Sequence, residues 1–462
     1  MIESDDIKFP PGFFDPPQPR PDYWPDNPDL RRAVNWFKSF IPEVQWITRR
    51  EDAARRLYRA AIGKMDAPDG RFFDSKDSFG WYLFLAEALL DHLTNYDYVF
   101  GSRVIPVFAA IGRNLDSLLQ IPGIESRVKR LVQADRGQPN GGLFEMLVAA
   151  CYARSGARVA FIDEQAGRER THDMDVTVGD RTWAVECKRM EVGEYGERER
   201  QVIGSLWDES TTNLVRILKS TLCHVRFRVE LDTVPKTYLS DKVRRWHSSR
   251  QLSFAWDDSI GSGTVSELDL RPLQAVLETD YVIGSSTRML QLLTGRYVRN
   301  PTYRTMLSMK AHHDNPRFID ACDFALVLHW ESPSDAAMEG KARDIRKKLS
   351  EATDQLPLDK PSIVHIGFEA VEGDDVERLR YAKIMETARQ FDPGDRPLEY
   401  ICCHYFVPES PPDEAWAFDE TTQWCPIRPR YRRPLEEVFL VLPEAAPMRS
   451  GPHWVQARRN AE

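Results

Sequence analysis

The stretch HDMDVTVGDRTWAVECKRM, residues 172–190, decides the fold expected for this chain. Two strand-like segments, residues 175–178 and 182–188, are separated by a Gly179-Asp180 turn, which predicts a β-hairpin. Side chains alternate between the two faces of a strand. One predicted face is apolar and carries Val176, Val178, Trp183, Val185 and Cys187. The other face carries Asp173, Asp175, Thr177, Ala184, Glu186 and Lys188.

The acidic face of this hairpin has the groups needed for metal-dependent chemistry. Neighbouring carboxylates repel one another, so one of them stays protonated unless a cation joins them. Oxygen ligands favour Mg²⁺ or Mn²⁺ over zinc. Such an ion lowers the pKa of a bound water and stabilises the charge that develops when this water attacks phosphorus. Lys188 points to the same side as Glu186 and could orient the water, so the face could hydrolyse a phosphodiester.

The segments around the hairpin predict further elements in a fixed order. Residues 141–156 (GGLFEMLVAACYARSG) predict a helix, and Glu145 interrupts its apolar sequence and therefore needs a partner. Residues 157–163 predict a strand. A further helix and strand should complete the core that contains the hairpin. Residues 198–231 or residues 337–368 could supply them. Proximity in the chain favours the first pair, and the second would make residues 233–335 an insertion.

This pattern resembles the PD-(D/E)xK nuclease superfamily, which has the restriction-endonuclease-like fold. The matching residues are Asp175 or Asp173, the run Glu186-Cys187-Lys188, and Glu145, although no proline precedes either aspartate. The resemblance implies an α/β (α+β) core with the order helix-strand-strand-strand-helix-strand. It implies that Asp175 and Glu186 hold Mg²⁺, which Mn²⁺ can replace, with Glu145 and Asp173 as further metal ligands. Lys188 would activate the water, so the implied catalytic residues are Asp175, Glu186, Lys188 and Glu145.

The rest of the chain is expected to surround this core. The predicted parts are a Pro-rich arm (residues 1–30), a helical region (31–135), the nuclease-like core (136–232), an insertion or connecting region (233–335), an α/β region (336–410) and a Pro/Arg-rich tail (411–462). The triplet Cys402-Cys403-His404 lies in an apolar strand and is expected to pack in the core. The rest of the chain also loosely resembles long prokaryotic proteins that carry the same motif.

Composition limits the classes of partner. The chain has 462 residues and a formal charge of −9, which excludes a basic coat over the whole surface but allows a local basic channel. Its N-terminus does not have the pattern of a signal peptide, and the sequence lacks a run of apolar residues long enough for a membrane span. The 7 cysteines are scattered and form no CxxC, which is typical of reduced thiols in a cytoplasmic protein.

The sequence therefore predicts a Mg²⁺-dependent endonuclease that acts on nucleic acid, with DNA favoured over RNA. The resemblance suggests a role in defence against foreign DNA. A catalytically inactive module that binds nucleic acid or a partner protein is the alternative, and a phosphoesterase acting on a smaller nucleotide is a third. An ordinary hairpin whose Asp, Glu and Lys side chains form cross-strand pairs would carry none of these functions. The oligomeric state is not indicated.

Overall fold

The fold is given by a computed structural model. It describes residues 9–21, 24, 26–63, 72–162, 171–191, 193–284, 286–299, 302–436, 439–447 and 451–455. The chain is a mixed α/β protein with many helices and two mixed β-sheets. Within the described residues, every helix is too short or too polar to traverse a lipid bilayer.

The described helices and strands are numbered in chain order. The helices are α1 (Pro28–Lys38), α2 (Glu43–Ala61), α3 (Ser78–Asp91), α4 (Tyr98–Arg113), α5 (Leu115–Leu118), α6 (Ile124–Gln133), α7 (Asn140–Arg154), α8 (Glu194–Arg216), α9 (Tyr238–Ser249), α10 (Arg271–Leu277), α11 (Thr287–Thr294), α12 (Asp335–Lys341), α13 (Arg346–Thr353) and α14 (Asp374–Gln390). The strands are β1 (Arg158–Phe161), β2 (Met174–Val178), β3 (Arg181–Met190), β4 (Thr221–Phe227), β5 (Ser253–Asp257), β6 (Gly261–Glu267), β7 (Val282–Ile283), β8 (Tyr303–Ala311), β9 (Phe318–Glu331), β10 (Ser362–Glu369), β11 (Leu398–Glu409) and β12 (Ala417–Pro426).

The N-terminal third is helical. Helix α3 is buried on nearly every side because it is apolar all round, and α1, α2 and α4 pack against it. The described part of the Pro-rich arm packs on these helices. Trp24 Nε1 donates a hydrogen bond of 2.9 Å to the carbonyl of Leu89, and the rings of Phe9 and Phe13 contact Tyr58.

The first of the two sheets, called the central sheet here, packs against α4 and α7. Its strand order is β1-β2-β3-β10-β11-β12. Strands β1, β2 and β3 are antiparallel to one another, whereas β3, β10 and β11 are parallel. One face carries Val176, Trp183 and Val185 and packs in the same core as α7. The opposite face carries Val364 and Ile366 and packs against α13 and α14.

The expected closure of the core by residues 198–231 is wrong. Strand β3 pairs with β10, the more distant candidate, while β4 pairs with β6 and β9 in the second sheet. Strand β10 is an almost continuous apolar run and is buried over nearly its whole length, as a strand covered on both faces must be. Strand β4 alternates between buried and more exposed residues, which is typical of a strand with one buried face.

The second sheet has the order β5-β6-β4-β9-β7, and β8 also pairs with β9. It occupies part of the chain between β3 and β10, and β5 to β9 lie within residues 233–335. That layer begins earlier than residue 233 because it includes β4.

The segment predicted as a Pro/Arg-rich tail also contributes to the central sheet. Strand β12 lies within it and pairs antiparallel with β11 along ten residues, Ala417 to Pro426. Residues 427–436, 439–447 and 451–455 follow without further strands in the part of the chain that the structure describes.

Candidate metal centre on the central sheet

The hairpin of β2 and β3 sets the register of the site. Gly179 has a φ of +62°, which is the left-handed region that favours glycine, and it lets a two-residue turn join Val178 to its partner Arg181. Counting back from this pair, Asp173 stands opposite Glu186. The amide of Asp173 donates to the carbonyl of Val185 at 3.2 Å, which places Asp173 directly beside the paired strands.

Asp173 and Glu186 form a buried pair of carboxyl groups. Glu186 is 1% exposed and Asp173 is 7% exposed. Asp173 Oδ2 accepts a hydrogen bond of 2.7 Å from the amide of Cys187, which fixes the orientation of this carboxyl group. Glu186 lies beside Val364 on β10, so it belongs to the face that packs against α13 and α14.

The surroundings of this pair favour protonation of one of the two carboxyl groups. Burial and then the nearby Asp173 carboxylate raise the pKa of Glu186 to about 9, although Lys188 opposes this shift. Burial also raises the pKa of Asp173, against the hydrogen bond from Cys187 and the charge of Arg127. Glu186 Oε2 is buried and has no N–H or hydroxyl donor among the described residues.

Lys188 completes the arrangement on β3. Its Nζ donates a hydrogen bond to Glu186 Oε1. The side chain of Lys188 is 20% exposed, so the ammonium group connects the buried pair with the solvent. Strand alternation places Lys188 on the same face as Glu186, as the sequence predicted.

Asp175, the aspartate that the sequence favoured, is engaged elsewhere. Both of its carboxylate oxygens accept hydrogen bonds of 2.9 Å from Lys360 Nζ, and His172 Nε2 lies 2.7 Å from Oδ1. Burial disfavours its ionisation, but His172 and Lys360 outweigh burial and lower its pKa. Its partner across the hairpin is Ala184, which lies two residues and about 7 Å along the strand from Glu186. The structure therefore joins Glu186 to Asp173.

Glu145 is connected to Asp173 by Arg127, which contacts both carboxyl groups. Arg127 Nη1 donates to Glu145 Oε2 at 2.9 Å and lies 3.8 Å from Asp173 Oδ1. Arg127 Nη2 donates to the backbone carbonyls of Ile162 and Asp173. Glu145 comes from α7, and the guanidinium group of Arg127 stands between it and the carboxyl group of Asp173.

The sequence contained signals for two features that the prediction missed. Arg127 occupies a buried position on α6 together with Ile124, Val128 and Leu131, so a cation stands within an apolar helical stripe. The two-residue turn at Gly179-Asp180 already fixes Asp173 as the partner of Glu186. No comparable pattern identifies Lys360, which approaches Asp175 across 185 residues of chain.

A basic helix lies next to the candidate site. Helix α13 packs against β3 and begins with Arg346, Lys347 and Lys348. Lys348 donates a hydrogen bond of 2.8 Å to Glu351. This hydrogen bond, together with the charges of Lys347 and Lys188, lowers the pKa of the Glu351 carboxyl group. Lys188 is thus close enough to α13 to share an electrostatic environment with its lysines.

Three other groups of potential ligands occur among the described residues. They are His365, Cys402 and His404; His224, His329 and Glu331; and His312, His313 and Asp314. In the second group, Arg226 is paired with Glu331 at 2.8 Å and Arg296 is 3.1 Å from His329 Nδ1, so two cations already occupy its surroundings.

Comparison with known proteins adds no relative: no family model, curated protein or solved structure matches this chain.

Proposed function

We propose that the chain is a metal-dependent nuclease that hydrolyses phosphodiester bonds of nucleic acid. The observation that supports this proposal most strongly is the buried Asp173–Glu186 pair with Lys188 at its outer side. Two carboxyl groups that share a proton form a place where a divalent cation can replace that proton. The buried Oε2 of Glu186, which receives no hydrogen bond from an N–H or hydroxyl group of the described residues, fits an oxygen ligand for such a cation.

The order of elements supports the same proposal. Helix α7 precedes β1, β2 and β3, and β10 then pairs parallel with β3 after helix α13. This order agrees with the helix-strand-strand-strand-helix-strand core that the PD-(D/E)xK resemblance implies. In this proposal the second sheet is an insertion between the third and fourth core strands.

Each residue has a distinct role in the proposed reaction. Asp173 and Glu186 provide carboxylate oxygens, and the amide of Cys187 keeps Asp173 in position. A Mg²⁺ ion bound there would lower the pKa of a water molecule and bind a phosphate oxygen. Lys188 holds its ammonium group beside Glu186, where it can orient the attacking water and offset the charge that develops on phosphorus.

Nucleic acid is the substrate that fits this position best. Helix α13, which carries Lys347 and Lys348, packs against the strand that carries Lys188, and this supports a local basic surface on a chain of net charge −9. Lysines at such a surface neutralise backbone phosphates without reading sequence. We retain DNA as the favoured substrate over RNA, with Mg²⁺ as the ion and Mn²⁺ as its substitute.

The experiment compares cleavage by the full chain and by three variants. Plasmid, single-stranded DNA and RNA are incubated with Mg²⁺, with Mn²⁺ and with EDTA. Asp173→Asn and Glu186→Gln each remove a proposed ligand, so we expect metal-dependent cleavage to fall by more than about 100-fold. Asp175→Asn is the matched control on the same hairpin face, and it should retain cleavage. Full activity of Glu186→Gln, or loss of activity only in Asp175→Asn, would overturn the assignment.

A second candidate is an inactive module that keeps the fold and binds nucleic acid. The observation that favours it is the position of Arg127, whose guanidinium group pairs with Glu145 and approaches Asp173 at 3.8 Å. A resident cation there reduces the need for a metal ion. Binding of DNA without cleavage in Mg²⁺ and in Mn²⁺ would support this candidate.

A further inference from the structure

A second polar cluster lies in the core of the central sheet, away from the Asp173–Glu186 pair. It consists of His365 on β10 and of Cys402 and His404 on β11. These side chains are 0%, 0% and 1% exposed, respectively. Burying imidazole and thiol groups this deeply is costly unless each polar atom finds a partner.

The three potential ligand atoms converge at one point. His365 Nδ1 lies 3.0 Å from His404 Nε2, and Cys402 Sγ lies 3.3 Å from the same nitrogen. All three atoms are within 4.8 Å of one another. Ligand atoms around a tetrahedral zinc ion, with bonds of about 2.0–2.3 Å, are separated by about 3.3–3.6 Å. The two distances to His404 Nε2 are within a few tenths of an ångström of this arrangement.

Hydrogen bonds alone account poorly for this convergence. A neutral imidazole nitrogen without a proton has one lone pair in the plane of the ring. His404 Nε2 has two close neighbours, His365 Nδ1 and Cys402 Sγ, and in either tautomer this nitrogen offers only one proton or one lone pair in the ring plane to both of them. A cation at the centre would instead receive one lone pair from each of the three atoms.

The outer nitrogens of both histidines have the partners that metal-bound imidazoles require. His365 Nε2 lies 2.9 Å from the hydroxyl of Tyr152 on α7. His404 Nδ1 lies 3.5 Å from Thr422 Oγ1 and 3.7 Å from Glu420 Oε1, both on β12. Such outer contacts fix the tautomer, so that the inner nitrogen presents its lone pair to a metal ion.

We propose that His365, Cys402 and His404 bind a structural Zn²⁺ ion. Imidazole nitrogen and thiolate sulfur are the ligands that zinc prefers, whereas Mg²⁺ prefers oxygen. Binding converts the thiol of Cys402 to a thiolate and releases its proton. The site is independent of the proposed nuclease centre, which has oxygen ligands and lies on the opposite face of the sheet.

Cys151 is the candidate for a fourth ligand. It is buried on α7, next to Tyr152; it is not one of the three convergent residues, but its thiol interacts electrostatically with that of Cys402. Structural zinc sites usually have four protein ligands. A zinc ion bound by Cys151 and the other three side chains would join α7 to β10 and β11.

The test measures metal in the full-length protein purified without chelators from cells grown with added Zn²⁺. We expect about one equivalent of zinc per chain by elemental analysis. Cys402→Ser should lose this zinc, and Cys151→Ser should bind it at least about 10-fold more weakly. Cys322→Ser is the matched control, since it replaces a buried cysteine of the second sheet and should retain the metal.

A second measurement needs no variant and therefore does not depend on a variant that folds. Protein produced with Co²⁺ in place of Zn²⁺ should show the absorption of tetrahedral cobalt and a thiolate-to-cobalt charge-transfer band. Removing the metal with a strong chelator should lower the melting temperature. Substoichiometric zinc in the wild type, or zinc content equal in wild type and Cys402→Ser with no thiolate–cobalt band, would overturn the proposal.

Discussion

At the scale of single residues, the candidate site depends on which aspartate stands opposite Glu186. Asp173 and Asp175 both lie on the acidic face of the hairpin, but only Asp173 shares the environment of Glu186. Lys360 and His172 neutralise Asp175, whereas the surroundings of the Asp173–Glu186 pair favour protonation of one carboxyl group. Two residues along the hairpin therefore separate a stable ion pair from a site that can accept a cation.

The shared proton predicts how stability depends on pH in the absence of divalent cations. The folded chain raises the pKa of Glu186 from 4.5 to about 9, so it binds this proton more tightly than the unfolded chain does. The resulting stabilisation is fully present below about pH 4.5 and is lost as the pH rises towards about 9. We expect the Glu186 contribution to the free energy of unfolding to decline across this window.

Urea unfolding between about pH 5 and pH 9 measures this decline. Glu186→Gln cannot release a proton, so its free energy of unfolding should fall less steeply with pH than that of the wild type. Asp175→Asn, which changes a carboxyl group of lowered pKa, should keep the steep dependence. Parallel pH profiles for the wild type and Glu186→Gln would contradict the shared proton.

At the scale of elements, α7 packs on β1 and β3 of the central sheet and also approaches β10 closely. Gly367 makes this close approach possible, because a Cβ atom there would lie 2.6 Å from the ring of Phe144. The φ angle of Gly367 is not positive, so glycine is needed here because a side chain would not fit and not because of the backbone conformation. Strand β10 carries both Gly367 and His365, which approach Phe144 and Tyr152 of α7, respectively.

Replacing this glycine should separate the two layers. Gly367→Ala is expected to lower the free energy of unfolding by about 1–3 kcal/mol, because the new methyl group overpacks the interface. Gly141→Ala on α7 is the matched control, since nothing lies within 4 Å of its added Cβ. That change should stabilise the chain by up to about 1 kcal/mol through helix propensity. Equal effects of the two substitutions, measured by chemical denaturation, would show that the close approach is not needed.

The elements also show what could be predicted from the sequence. Alternation in residues 172–190 correctly placed Glu186 and Lys188 on one face, because the side-chain period of a strand is a local property. Strand β3 pairs with β10, where Glu186 lies beside Val364, and these residues are far apart in the chain. Proximity in the chain favoured residues 198–231 instead, which was wrong. The continuous apolar character of residues 362–368 was the available signal, since a strand covered on both faces requires it.

At the scale of the whole molecule, the second sheet was the least predictable part. Its strands other than β9 have no continuous buried run, and β4 pairs with β9 across about a hundred residues, Thr221 with Leu326. Local patterns carry little information about such pairings. The C-terminal segment, predicted as a tail, is also part of the fold. Strand β12 and the residues after it connect the edge of the central sheet to the N-terminal helices.

Glu420 on β12 anchors that C-terminal segment. Its carboxylate accepts hydrogen bonds of 2.9 Å from the amides of Leu440 and Val441, and Arg113 of α4 donates to the carbonyl of Val441. Glu420→Ala would leave these buried amides without an acceptor. We expect the free energy of unfolding to fall by about 1–3 kcal/mol and residues 439–447 to become sensitive to protease.

The control for this substitution is Glu436→Ala, which removes an exposed carboxylate paired with Arg432. It should change stability by less than about 1 kcal/mol and leave the cleavage pattern unchanged. Limited proteolysis followed by mass spectrometry reports the cut sites. Protection of residues 439–447 in Glu420→Ala would show that other contacts hold the segment.

The central claim is that a divalent cation replaces the proton shared by Asp173 and Glu186. Calorimetric titration of the chain with Mn²⁺ near pH 7.5, in two buffers of different ionisation enthalpy, tests it directly. We predict one bound Mn²⁺ and the release of about one proton per chain, with both weakened or lost in Glu186→Gln and kept in Asp175→Asn. Absence of Mn²⁺ binding, or binding that releases no proton and is unchanged in Glu186→Gln, would contradict the account.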